Sequence, residues 1–196
     1  AFMQLINLEI DEESPYTGGH CQRVPELTMM LADAVDATTE GPLADFKLTD
    51  KDRYELRIAA LMHDCGKVTT PVHVVDKATK LQTLYDRITL VDTRFEVLKR
   101  DAEIRMLRAA VDGQNRAELE SSFQTFCRQC DDDREFLRRA NIGGERMRDE
   151  DIERIKRIAS EYRWCNTDGE YVSFLNANEL ENLCIRAGTL TQAERE

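Results

Sequence analysis

Residues 56–67 read LRIAALMHDCGK, a short apolar stretch that runs directly into a histidine, an aspartate, a glycine and a lysine. The apolar side chains recur at helical spacing, at Leu56, Ala59, Ala60 and Leu61. Glycine is the residue type that most often ends a helix in the left-handed conformation. We therefore predict a helix that ends near Gly66, with His63 and Asp64 on its last turn.

The adjacent His63 and Asp64 cannot share one face of a helix, but near a helix end both side chains can converge on one point. Mixed nitrogen and oxygen ligands suit divalent iron, manganese or zinc. An earlier helix is predicted after the turn at residues 18–19, from its apolar residues Leu27, Met30, Leu31, Ala34 and Val35. His20 lies at the start of that helix and is a third candidate ligand. Residue types alone leave open a metal site or an ordinary surface pair.

Long helices are predicted for the middle of the chain. From Leu84 onward, apolar residues recur at alternating spacings of four and three residues, which is the heptad seam of packed long helices. They are Leu84, Ile88, Val91, Phe95, Leu98 and Ala102. The rhythm returns after the turn at residues 112–113, at Leu119, Phe123, Phe126 and Cys130. Two arrangements remain open, a homodimer contact and an antiparallel hairpin within one chain, and the turn favours the hairpin.

The remaining patterns are also helical. A third amphipathic helix is predicted from Ile152, Ile155, Ile158, Ala159 and Tyr162. Residues 165–169 read CNTDG, which is turn chemistry, and a short element follows at residues 178–184. No segment shows the alternation of a strand. The fold class is predicted to be all-α.

Composition and charge narrow the classes of function. The formal net charge of -11 argues against nucleic-acid binding, because affinity for a phosphate backbone comes from clustered lysine and arginine. No run approaches the roughly 18 apolar residues of a membrane span. Six cysteines spread over a helical chain favour reduced thiols over a disulfide framework. We expect a soluble, cytoplasmic chain, or the cytoplasmic part of a larger sensor-linked protein, since both ends look cut.

Three further features have a simpler interpretation than a functional one. Cys127 and Cys130 have the spacing of half a zinc site or of a redox pair, but both fall on an amphipathic helix where small apolar cysteines pack well. His73 is predicted to be a partly buried structural histidine. The carboxylates of residues 131–133 point to different faces of a helix, so a solvated face is favoured over a cation site.

The order and setting of the candidate ligands resemble the HD superfamily of metal-dependent phosphohydrolases. The matching residues are His20, Arg23, Val24, His63, Asp64, Gly66, Lys67 and Pro71. The HD-GYP branch, associated with cyclic di-GMP hydrolysis, carries a later segment of the form Lys-Pro-Gly-Lys-Leu-Thr-x-x-Glu. Residues 77–81 (KATKL) resemble its first half, and residues 188–194 (GTLTQAE) resemble its second half. Residues 14–20 resemble the approach to the first ligand helix of that branch.

The split segment implies an insertion. Residues 1–81 would be the N-terminal part of an HD-type domain, residues 82–187 an inserted helical subdomain, and residues 188–196 the start of the remaining part. The resemblance thus implies an all-α, HD-domain-like helical core with an inserted antiparallel hairpin of long helices.

The resemblance also assigns roles to individual residues. It implies three metal ligands, namely His20, His63 and Asp64. Asp64 would bridge two divalent ions in the complete domain, where a metal-bound water attacks a phosphodiester phosphorus. Lys67 would hold the scissile phosphate as a cationic clamp, and its simpler alternative is a solvated lysine at a helix end. Lys77 and Lys80 of the split segment are assigned to substrate binding.

Two departures from the family pattern matter. Tyr16 stands where some members have a glutamate, which speaks against a third metal ion. The later histidine, the His-His pair, the final aspartate and the Gly-Tyr-Pro loop are absent from these 196 residues. Three protein ligands cannot fill two metal sites, so this chain is expected to be inactive alone and its parent protein to continue into the missing ligands. Two alternatives remain: a hydrolase for another phosphoester, and a degenerate, non-catalytic HD module that binds partners through the hairpin.

Overall fold

The computed structural model describes residues 19–196, which belong to two compact units divided between Asp76 and Lys77. Helices dominate both units, so the prediction of an all-α fold is confirmed. Residues 14–18 and the Tyr16 departure lie outside the described residues. Within residues 19–196 no helix has the combined length and apolar character that a membrane span needs.

The first unit is a pair of helices followed by two short helical turns. Its elements are α1 (His20–Asp36), α2 (Asp50–Leu61), a 3-10 helix (Cys65–Thr69) and α3 (Val72–Val75). Gly19 precedes α1 with φ 72°, a left-handed conformation that costs glycine little. Its turn begins the helix at His20, as the sequence predicts.

Polar contacts hold α1 and α2 antiparallel. Arg53 near the start of α2 binds Asp33 and lies 2.8 Å from Asp36 at the end of α1. The backbone N–H of Leu48 donates to Asp36 Oδ1 at 2.7 Å. Because the end of α1 is tied to the start of α2, the first turn of α1 lies beside the end of α2. This topology brings His20 and His63 together.

The prediction for the end of α2 is wrong. The helix ends at Leu61, earlier than Gly66, and His63 and Asp64 lie in a turn that leads into the 3-10 helix. Gly66 lies inside the 3-10 helix and has no positive φ. Tighter 3-10 turns often continue a helix end, and the pattern of apolar residues does not distinguish them from an α-helical turn.

The helix α1 is formed as predicted, but three of the larger apolar residues that predicted it are exposed. Leu27, Met30 and Leu31 are 57%, 67% and 70% exposed. The buried residues of this helix are instead Cys21, Pro25 and Ala32. Small side chains let two helices approach closely. The side of α1 with small residues is therefore buried, and its larger apolar residues are exposed.

The second unit contains the long helices. Its elements are α4 (Ile88–Val111), α5 (Arg116–Asn141), α6 (Asp149–Glu161), β1 (Arg163–Cys165), β2 (Tyr171–Ser173), α7 (Ala177–Leu183) and α8 (Gln192–Arg195). Ion pairs step along α4 and α5 in opposite directions, from Asp92–Arg138 through Glu96–Arg134 to Lys99–Asp131. The two long helices therefore run antiparallel within one chain.

The heptad seam supplies the core of this unit. Val91, Phe95 and Leu98 are buried, and the Phe95 ring lies 4.5 Å from that of Phe174 between ring centroids. Leu84, the predicted first seam residue, is instead exposed, because the helix starts only at Ile88. Asp86 Oδ1 accepts the Ile88 N–H at 2.9 Å and marks that start. The predicted apolar residues of α6 are all buried, from Ile152 to Tyr162.

A small antiparallel hairpin corrects the prediction that no strand is present. In it Trp164 pairs with Val172. The predicted turn is formed: Asn166 Oδ1 accepts the N–H of Asp168 at 3.0 Å and that of Glu170 at 2.9 Å. Each strand has three residues, which is too short for alternation to show in the sequence.

The acidic run at residues 131–133 is not simply solvated. Asp133 is buried, and its carboxylate accepts hydrogen bonds from Arg154 Nη2 at 2.7 Å and from the Tyr162 hydroxyl at 2.9 Å. This pairing satisfies the charge, which makes its burial tolerable. Cys130 is buried as the packing interpretation predicts, and burial raises the pKa of its thiol to about 12.

A close backbone approach joins residues 143–144 to residues 188–189. A Cβ on Gly143 would lie 2.6 Å from Thr189 Cγ2 and 3.2 Å from the Gly188 carbonyl carbon, whereas one on Gly144 would meet nothing within 4 Å. We expect Gly143→Ala to lower the free energy of unfolding by about 1–3 kcal/mol through overpacking. Gly144→Ala, measured beside it by urea denaturation, should change it by less than about 0.5 kcal/mol. Equal effects of the two substitutions would contradict this packing.

Candidate metal centre

Three predicted ligands converge in the first unit. His20 Nε2 lies 3.1 Å from His63 Nε2, and Asp64 Oδ2 lies 3.2 Å from His63 Nε2 and 3.7 Å from His20 Nε2. Among residues 19–196 no other group of three or more His, Cys, Asp or Glu residues brings its ligand atoms this close together. The prediction of a partly buried His73 is wrong: this residue, on α3, is exposed, and it does not belong to the cluster.

A backbone contact sets the orientation of His63. Its Nδ1 lies 2.8 Å from the Ala60 carbonyl oxygen, which can only accept a hydrogen bond. Nδ1 therefore carries the hydrogen in the neutral ring, and Nε2 keeps its lone pair on the side of His20 and Asp64. A hydrogen bond of this kind fixes the tautomer of metal-ligating histidines. The sequence gives no signal for it, since every residue has a carbonyl.

Lys67 is part of the same cluster. The tight turn of the 3-10 helix brings Lys67 Nζ to 2.7 Å from Asp64 Oδ2, so the ammonium donates to the carboxylate oxygen that faces both histidines. The Lys67 side chain is about one third exposed. Its cation thus lies at the cluster rather than pointing away as a solvated end cap.

The donor set fits a divalent ion. A triangle with these three distances leaves a point about 2 Å from every donor atom, and nitrogen and oxygen ligands bind zinc at about 2.0–2.2 Å. Two imidazole nitrogens and one carboxylate also suit iron and manganese. The side chains of His20, His63 and Asp64 are 43%, 32% and 17% exposed, so water can reach the remaining coordination positions.

Lys77 and Lys80, assigned to substrate binding, lie in the second unit and are both buried. Lys77 Nζ donates to both Glu194 carboxylate oxygens at 2.9 Å and to Asn182 Oδ1 at 2.8 Å. Lys80 Nζ donates to the carbonyl oxygens of Leu183 and Ile185. Protein acceptors hold both ammonium groups, so their contacts support structural roles.

The two halves of the split segment touch each other. Besides the Lys77–Glu194 ion pair, Thr189 Oγ1 donates to the Lys77 carbonyl oxygen at 2.9 Å. Thr191 and Glu194 form a capping box at the start of α8. Residues 77 and 188–194 are therefore neighbours in space, although the long helices separate them in the sequence.

Comparison with known proteins places the chain in a class. The profile of the family described as HD domain matches residues 17–160, more than half of the chain. The chain therefore belongs to the HD domain family.

A particular relative is the 3'3'-cGAMP-specific phosphodiesterase 3 of Vibrio cholerae serotype O1, which is 38% identical over 72 residues. The match covers 37% of this chain and only 13% of that relative. No solved structure matches the chain.

Proposed function

We propose that this chain is part of a metal-dependent phosphodiesterase of the HD-GYP kind, with a cyclic dinucleotide as substrate. The observation that carries the proposal is the convergence of His20, His63 and Asp64 on one point with Lys67 beside it. Membership of the HD domain family and the similarity to a cyclic dinucleotide phosphodiesterase support it. Cyclic di-GMP is the first substrate to test, and 3'3'-cGAMP, named for the relative, is the second.

Each residue has a defined task in this proposal. His20, His63 and Asp64 hold the metal, and the Ala60 carbonyl keeps His63 Nε2 available to it. A bound divalent ion supplies Lewis acidity and lowers the pKa of a water molecule. Lys67 places a positive charge next to Asp64, where it offsets the negative charge that develops on phosphoryl oxygens.

The donor count limits what these residues do alone. Each first-row ion takes about four to six donors, and three protein ligands do not complete the two sites of the proposed full domain. We infer that the parent protein supplies the remaining ligands and that the 196-residue chain is inactive in isolation. Residues 82–187 are proposed to be an insertion. The contact between the two halves of the split segment supports this, because residues 189 and 194, which follow the proposed insertion, contact Lys77, which precedes it.

The test is hydrolysis by the full-length protein that contains this chain. With manganese or ferrous iron we expect turnover of cyclic di-GMP or 3'3'-cGAMP, followed by chromatography of the products. His63→Ala should reduce turnover to background, because a ligand is removed. His73→Ala removes the one histidine of the chain outside the cluster and should keep wild-type turnover. Full activity of His63→Ala would contradict the proposed role of the cluster.

One observation favours a second candidate function, a non-catalytic interaction module. Leu27, Met30 and Leu31 form an exposed apolar face on α1, and such faces mark protein interaction sites. If the full-length protein neither bound metal nor hydrolysed either dinucleotide, these results would favour the interaction module over the enzyme as the function of this chain.

A further inference from the structure

A basic cavity of about 390 Å³ lies in the second unit, between the end of α5 and the start of α6. Six cationic side chains line it: Lys80, Arg139, Arg146, Arg148, Arg154 and Arg186. Asp151 is the acidic residue in its lining. This concentration of positive charge stands out in a chain whose formal net charge is -11.

Three of these arginines are already paired within the second unit. Arg148 binds Asp151 at 2.9 Å, Arg154 binds Asp133 at 2.7 Å, and Arg186 binds Asp149 at 2.6 Å. Each of these three arginines has a carboxylate within 2.9 Å, which compensates part of its positive charge.

The other two arginines keep their charge available. Within the part of the chain that the structure describes, Arg146 forms no ion pair. Arg139 lies 3.7 Å from Glu135, and both of these side chains are exposed, so the pairing is weak. The guanidinium groups of Arg139 and Arg146 therefore lie at the cavity with little negative charge nearby to compensate their positive charge.

Lys80 adds a buried positive charge to the lining of the cavity. Lys80 is 2% exposed, and its ammonium donates to the Ile185 carbonyl at 2.8 Å and to the Leu183 carbonyl at 3.2 Å. Within residues 19–196 no carboxylate pairs with it. Burial lowers the pKa of Lys80 to about 8, so most of the population is still protonated at neutral pH. A buried cation without a counter-charge is costly, and an anion in the cavity would offset that cost.

We propose that this cavity binds a phosphate-bearing small molecule through Arg139 and Arg146, with the buried positive charge of Lys80 adding to the attraction. Its volume falls in the range of about 300–1,000 Å³ typical of small-molecule pockets. Guanidinium groups match the oxygens of a phosphate bidentately, which favours this anion class. The lining residues all belong to the second unit, whereas the metal centre is formed by residues of the first unit, and the proposal does not depend on the proposed hydrolysis.

The test is calorimetric titration of the 196-residue chain with pyrophosphate at about 0.15 M ionic strength, where long-range attraction is screened. EDTA is present throughout, so that any ion at the histidine cluster cannot bind the probe. We expect saturable binding by the wild type. The double variant Arg139→Gln/Arg146→Gln should bind at least tenfold more weakly, and because both side chains are exposed it should fold normally.

A matched control removes the same charge elsewhere in the second unit. Arg105 and Arg108 are exposed on α4, so Arg105→Gln/Arg108→Gln should keep wild-type affinity. Lys80→Met, checked for folding by circular dichroism, should also weaken binding. Absence of saturable binding by the wild type, or equal loss in both double variants, would overturn the proposal. Titrations with ATP and cyclic di-GMP then show whether a nucleotide carries the phosphate.

Discussion

His63→Ala is expected to weaken binding of a divalent metal ion by the chain by more than about 100-fold. The substitution removes one of two imidazole nitrogens from a set of three donors. Loss of a mere hydrogen-bond partner of a ligand already costs about 10–100-fold in affinity, and loss of the ligand itself should exceed that. Folding should persist, because His63 lies in the turn beyond α2 and is exposed.

The measurement is a competition titration with manganese or zinc against a chromogenic chelator, with metal content measured after dialysis. His73→Ala is the matched control, because it removes a histidine from the same unit outside the cluster. Asp64→Asn should weaken binding as well, since it removes the carboxylate charge. Unchanged affinity in His63→Ala would show that the ring does not ligate the ion.

Glu179→Ala is expected to destabilise the second unit by about 3–5 kcal/mol, the range for breaking a buried ion pair. Glu179 is 1% exposed and accepts hydrogen bonds from Arg94 Nη1 at 2.7 Å and Nη2 at 2.8 Å. It also accepts the Asn176 N–H and so caps α7. Its removal would leave the Arg94 guanidinium partly buried without its carboxylate.

The pKa of Glu179 gives the sign of the pH dependence. Burial raises this pKa, but hydrogen bonds from Arg94 and Asn176 outweigh burial, so the net pKa is lowered. A lowered carboxyl pKa stabilises the fold above the unfolded-state value, and this stability is lost as the pH falls through the folded-state pKa. The difference in stability between the wild type and Glu179→Ala should therefore shrink in acid.

Trp164 reports on this site by fluorescence, because it is the only tryptophan of the chain and Arg94 lies 5.3 Å from its ring centroid. Urea denaturation followed through Trp164 should show the loss of stability. Glu181→Ala, an exposed carboxylate on the same helix, should change stability by less than about 0.5 kcal/mol. Similar losses for the two variants would contradict the importance of the buried pair.

Much of the helical framework could be predicted from the sequence because it follows from local periodicity. The seam of Val91, Phe95 and Leu98 is buried because each residue lies on one face of a long helix. The start of α1 at His20 follows from the conformational freedom of Gly19. These features need only a few neighbouring residues to specify them.

The rest depends on partners that local patterns do not contain. Asp133 is buried because Arg154 and Tyr162, remote in the sequence, satisfy its carboxylate. The larger apolar residues of α1, such as Met30, are exposed because α1 buries its small residues instead. The metal ligands could be proposed from the sequence, but the Ala60 carbonyl that orients His63 could not.

Metal binding by His20, His63 and Asp64 can be observed by anomalous diffraction from crystals of the chain grown with manganese or zinc, recorded at the metal absorption edge. We expect a peak within about 2.0–2.3 Å of His20 Nε2, His63 Nε2 and an Asp64 carboxylate oxygen. A fully loaded crystal whose anomalous peaks all lie away from these three side chains would contradict this expectation.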